Sequence, residues 1–83
     1  MYKLRIEPRA NRTLKRIAIN YQEEILEALA DLEEDPYMGK RLKDELLGSF
    51  SYRVRMHRII YKINEKDKIV KILSAGHRSI VYQ

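Results

Sequence analysis

Tyr2-Lys3-Leu4-Arg5-Ile6-Glu7-Pro8-Arg9-Ala10 decides how the chain is to be read, because the hydrophobic period changes within it. Tyr2, Leu4 and Ile6 alternate with Lys3, Arg5 and Glu7, the period-two pattern of a half-buried strand. Pro8 ends the alternation and suits the first turn of a helix. Beyond it Ala10, Leu14, Ile17, Ala18 and Tyr21 recur at helical spacing and form one apolar stripe. A strand feeding a helix is thus set within the first third of the chain.

A second helix follows almost at once. Asn20-Tyr21-Gln22-Glu23 reads as a capping box, with Ile25, Leu26, Leu29 and Leu32 on the buried face. Glu23, Glu24 and Glu27 complement the positive end of its dipole, and Pro36 stops it. So short a join predicts an antiparallel helical hairpin. Pro36 to Ser49 reads as a loop with one turn of helix, punctuated by Gly39 and Gly48.

Strand patterns then take over. Tyr52, Val54 and Met56 alternate with Arg53, Arg55 and His57. Ile59, Tyr61 and Ile63 mark a second strand, Asn64 to Lys68 a polar hairpin loop, and Ile69 to Ala75 a third, more apolar strand expected to lie centrally. Gly76 breaks it before His77 and Arg78. The predicted fold class is α+β: an N-terminal strand, an antiparallel helical hairpin, then a three-stranded antiparallel meander, with the hairpin on one sheet face. Eighty-three residues predict a single domain over 1–83.

Composition narrows the function classes. There is no cysteine, so neither disulfides nor a thiolate metal site is available. No apolar run approaches the ~20 residues needed to cross a bilayer, and the N-terminus lacks a signal-peptide pattern. These features predict a soluble cytoplasmic protein with no membrane partner. The formal charge of +5 is unevenly spread. Met1–Tyr21 carries six Lys or Arg against one Glu, Gln22–Asp35 seven acids and no base, and Pro36–Gln83 eleven bases against four acids. Basic ends around an acidic middle predict a polyanion on one side, nucleic acid above all, against the alternative of a solvated surface.

Chemistry-bearing motifs are few. Three glycines cannot build a phosphate-cradling loop, and His57 and His77 lack zinc-protease spacing. What remains is a cationic strand face. Arg53, Arg55 and His57 share a side by alternation, Arg58 begins the next strand, and Arg78 follows the last. Arginine offers a planar fork matched to phosphate oxygens, and every charged residue from Ser49 to Ile63 is basic. The alternative is that these arginines reach the acidic helix. RNA cleavage without a metal needs cations on the phosphorus centre and groups to move two protons. His77 has the reference pKa for proton transfer, and Tyr82 offers a hydroxyl and a stacking face.

Leu46-Leu47-Gly48-Ser49-Phe50-Ser51-Tyr52-Arg53-Val54-Arg55, Arg58-Ile59-Ile60-Tyr61-Lys62-Ile63 and Gly76-His77-Arg78 with Val81-Tyr82 together resemble, in order and spacing, three segments of the RelE/ParE toxin superfamily. The likeness covers essentially the whole chain. It implies a fold related to small microbial ribonucleases and, in the RelE branch, cleavage of messenger RNA in the ribosomal A site with no cofactor or metal. It implies a cognate RelB-like antitoxin in a heteromeric complex. Residue by residue, it implies that Arg53 and Arg55 contact RNA or take part in proton transfer, that Arg58 and Arg78 grip the phosphate, and that Tyr82 stacks on a base. His77 falls where the family is often basic.

The expected function is therefore a toxin that is an endoribonuclease acting on ribosome and mRNA. The alternative is a ParE-like toxin that binds DNA gyrase without catalysis. A non-catalytic RNA-binding module is the third reading, since fold does not fix function.

Overall fold

The computed structural model describes residues 1–43 and 47–77. Strand β1 (Lys3–Ile6) forms where the alternation predicts it, its even-numbered side chains turned inward. Helix α1 (Pro8–Glu34) opens with Pro8 in its first turn and buries Ala10, Leu14, Ile17, Ile25, Ala28 and Leu32.

The two expected helices are one helical run, interrupted only at Tyr21 (φ −133°, ψ 42°). A straight helix from Pro8 to Glu33 would be roughly 37 Å long. Yet the Tyr2 N–H donates to the Glu33 carbonyl at 2.9 Å. The segment from Tyr2 to Pro8 spans at most about 22 Å when fully extended. The run must therefore fold back sharply at Tyr21, a hairpin whose connection has shrunk to one residue. The break falls one residue after the expected cap at Asn20.

Pro36 stops the helix as expected. The Asp35 carboxylate accepts from the Tyr37 N–H at 3.1 Å and starts a short 3-10 turn, Pro36–Met38. The described part of the 36–49 segment holds more than a loop. It also contributes strand β2 (Lys40–Arg41), and Gly48 takes a positive φ of +91° that favours glycine.

Strands β3 (Phe50–Val54), β4 (His57–Asn64) and β5 (Ile69–His77) form the predicted meander, except that β5 runs through Gly76, paired with Arg58, instead of breaking there. The sheet order is β1-β5-β4-β3-β2. β5 is interior, between β1 and β4, but β4 holds the centre. β1 runs parallel to β5, Lys3 beside Ile69 through Ile6 beside Ile72, so the sheet is mixed. Helix α1 covers one face, over Phe50, Val54, Ile59, Tyr61, Val70 and Ile72. Among the described residues no helix is long and apolar enough to cross a membrane.

Candidate phosphate-binding face

Two irregularities decide which side chains reach the face that α1 leaves uncovered. The first lies between β3 and β4. Val54 pairs with His57, so Arg55 and Met56 form a two-residue turn, Arg55 at φ +58°. Alternation would have put Arg53, Arg55 and His57 on one side. The turn instead lifts Arg55 off the strand and sends His57 to the helix side with Val54. Its ring lies 6.1 Å from that of Tyr21. Tyr52 and Val54 face the helix as expected, but Met56 is exposed.

The second irregularity is a bulge in β5. Ile60 pairs with Ser74 but Tyr61 with Ile72, leaving Leu73 as an extra residue. Strict alternation from Val70 and Ile72 would put His77 on the open face. One inserted residue reverses the parity, so Ser74 and Gly76 share the face of Ile60 and Arg58. His77 pairs with His57 on the helix side, ring centroids 6.1 Å apart.

On the open face Arg53 stands directly opposite Arg58, with Cα atoms about 4.5–5.5 Å apart in such a pair. Like charges facing each other across strands are destabilising. Among the described residues no carboxylate makes an ion pair with either one. Arg53 instead donates through Nε to the Arg55 carbonyl at 3.3 Å, which braces the turn. Beside the two arginines lies a groove of about 500 Å³ whose lining includes Lys40, Leu42 and Ser51. Lys40 and Ser51 pair across β2 and β3 and were missed from sequence, since a two-residue strand has no readable period.

Arg55 belongs to a different environment. Its Nη2 and Nε lie 3.0 and 3.2 Å from Glu24 Oε2, and its guanidinium stacks 5.6 Å over the Tyr21 ring. The Glu24 carboxyl sits below the usual carboxylate range, held there by its own backbone N–H and then by Arg55. The expected meeting of Arg55 with Arg53 and Arg58 is therefore corrected: the acidic helix has claimed it. Neither His57 nor His77 starts from the arginine face either. Arg78 and Tyr82 lie outside the described residues. No cluster of three or more His, Asp or Glu able to hold a metal is found among the described residues.

A mixed sheet backed by a folded-back helix agrees with the comparisons with known proteins. Residues 4–82 match the family described as ParE toxin of type II toxin–antitoxin system, parDE. The chain belongs to this family, within the RelE/ParE toxin superfamily. It is 33% identical to toxin RelG of Mycobacterium tuberculosis over 99% of this chain and 97% of that one. Among solved structures, it resembles a chain of the toxin–antitoxin complex RelBE2 from the same organism, with TM-score 0.80, 34% identity and coverage of 93% and 98%. It resembles a chain of the archaeal RelE–RelB complex from Pyrococcus horikoshii with TM-score 0.79, 25% identity and coverage of 95% and 97%. The protein is thus a type II toxin with a RelE-like fold.

Proposed function

We propose that this toxin is a ribosome-dependent endoribonuclease that cuts messenger RNA in the A site of translating ribosomes, without a metal, and so stops translation in the cytoplasm. Its partner is a RelB-like antitoxin that covers the open face in a heteromeric complex. The observation that carries this reading is the facing pair Arg53 and Arg58, two guanidiniums beside a groove with no carboxylate among the described residues to neutralise them. A protein tolerates such a pair most readily where an anion settles between the forks.

In the reaction the 2′-hydroxyl gives up its proton as its oxygen attacks phosphorus, and the bond from phosphorus to the 5′-oxygen breaks, the leaving oxygen taking up a proton in turn. Negative charge gathers on the non-bridging oxygens, which is where Arg53 and Arg58 act, stabilising the crowded centre more than the ground state. Arg78 adds a third guanidinium and Tyr82 a ring on which an unstacked base lies. Proton transfer is not assigned to His77, which starts from the other face.

The test is a translating extract in which messenger RNA ends are mapped with wild-type toxin and with Arg58→Ala/Arg78→Ala. Cuts at A-site codons are expected from the wild type and none from the variant, with its fold retained. Absence of wild-type cuts, with gyrase-dependent DNA damage instead, would establish the non-nuclease alternative.

A further inference from the structure

The groove does not exhaust the positive charge on the open face. Strand register places Arg5 on β1 beside Lys71 on β5, and Lys71 beside Lys62 on β4, all three exposed and on one side. With strands about 4.8 Å apart, these cations form a straight row about 10 Å long across the sheet. Lys62 lies four residues beyond Arg58 on β4, so the row sits about 13 Å from the arginine pair. Between them run Ser51, Ile60 and Ser74, a strip with no charge at all.

One carboxylate attends the row. Glu7, just past the end of β1, pairs with Lys71 at 3.1 Å, while among the described residues no ion pair is made by Lys62 or Arg5. Three basic side chains directly abreast repel one another as the arginines do. The same argument therefore applies: this arrangement is stable when polyanion charge lies across it.

We propose that Arg5, Lys71 and Lys62 form a second phosphate-binding row for the single-stranded RNA whose scissile phosphate lies between Arg53 and Arg58. The RNA strand then runs along β4, with sugars and bases over the uncharged strip, and turns at Lys62 to follow the row toward β1. A stacked strand advances about 3.4 Å per nucleotide, so the row meets phosphates about four nucleotides from the cut. This rests on the proposed function for the position of that first phosphate. The row sets how long a substrate must be, and it contributes affinity without contacting the reacting atoms.

The experiment titrates 2′-O-methyl oligouridines of three and eight nucleotides, which cannot be cleaved, into the full-length toxin by amide chemical shift at several salt concentrations. Wild type is compared with a row variant, Arg5→Gln/Lys62→Gln/Lys71→Gln, and a groove variant, Arg53→Ala/Arg58→Ala. The spectra report the fold of each, and Lys62→Glu alone repeats the row test with a smaller perturbation. The row variant should bind the trimer as wild type does but lose the added affinity of the octamer. Its octamer salt slope should fall by about 2, at roughly 0.7 for each of three lost phosphate contacts on a single strand. An octamer slope and affinity unchanged in both row variants would overturn the second row and leave the groove standing. Trimer binding unchanged in the groove variant would instead overturn the first phosphate site, and with it the proposed function.

Discussion

Arg55 and Glu24 meet across the boundary between sheet and helix, two guanidinium nitrogens within 3.2 Å of one carboxylate oxygen. The contact ties the β3–β4 turn to the helix just past its break at Tyr21, whose ring lies under the same guanidinium. An arginine so engaged on the helix side contributes little to a phosphate on the other. Under the proposed function, Arg55→Ala should keep A-site cleavage within about tenfold of wild type, whereas Arg58→Ala should lose on the order of a hundredfold or more. Mapped cleavage rates decide it, and equal losses would return Arg55 to the reacting centre.

Glu65 gathers the start of β1, the 3-10 turn and the β4–β5 hairpin into one cluster. It accepts from the Tyr2 hydroxyl at 2.7 Å and also from Tyr37 and Lys68. Hydrogen bonds from Lys68, Tyr37 and Tyr2 hold its carboxyl down at about 2, against a reference of 4.5. For a depressed acid, the stabilisation is complete above the unfolded value and disappears as pH falls toward the folded one. The melting temperature should thus fall between pH 4.5 and 2, and more steeply than in Glu65→Gln. Solvent exposure keeps the difference small. Identical pH profiles for the two proteins would contradict this.

Gly39 is required by space. A Cβ there would lie 2.1 Å from the hydroxyl of buried Tyr61, which donates to the Pro36 carbonyl at 2.7 Å, and 2.9 Å from the Ser51 carbonyl. Gly39→Ala should destabilise by about 1–3 kcal/mol through overpacking. Adding Tyr61→Phe removes the first clash, so the double variant should be more stable than the sum of the single effects. Strict additivity in denaturant unfolding would show that the turn relaxes independently of Tyr61.

His57 carries a buried Nδ1 with no hydrogen-bond partner among the described residues, its ring 6.1 Å from each of those of Tyr21 and His77. An unsatisfied buried polar atom costs about 1–3 kcal/mol. His57→Phe keeps the ring contacts and removes that atom, so it should raise the unfolding midpoint. A lowered midpoint would mean that the imidazole is satisfied through an ordered water.

What the sequence disclosed, and what it withheld, follows from periodicity. The turn from period two to helical spacing at Pro8 and the alternations around Ile59 and Val70 are statements about burial, and these elements lie where they were expected. The break at Tyr21 carries no glycine or proline to announce it. The Arg55-Met56 turn has none of the Asn-Gly or Gly chemistry that marks two-residue hairpins, so alternation was carried straight through it. The bulge at Leu73 is equally silent, yet it moves His77 to the opposite face. Arg53 and Arg58 were found because their pairing needs only correct register between adjacent strands. Lys40 and Ser51 were missed because β2 is too short to show any alternation.

The parallel pairing of β1 with β5 has a consequence for how the molecule comes into being. Lys3 waits for Ile69, so β1 has no sheet neighbour until β5, far along the chain, has been made. Contacts so distant along a chain are slow to close and keep greasy surface bare in the meantime. A toxin built this way stays unassembled until that distant pairing forms, and a companion already waiting would meet it before the sheet is sealed.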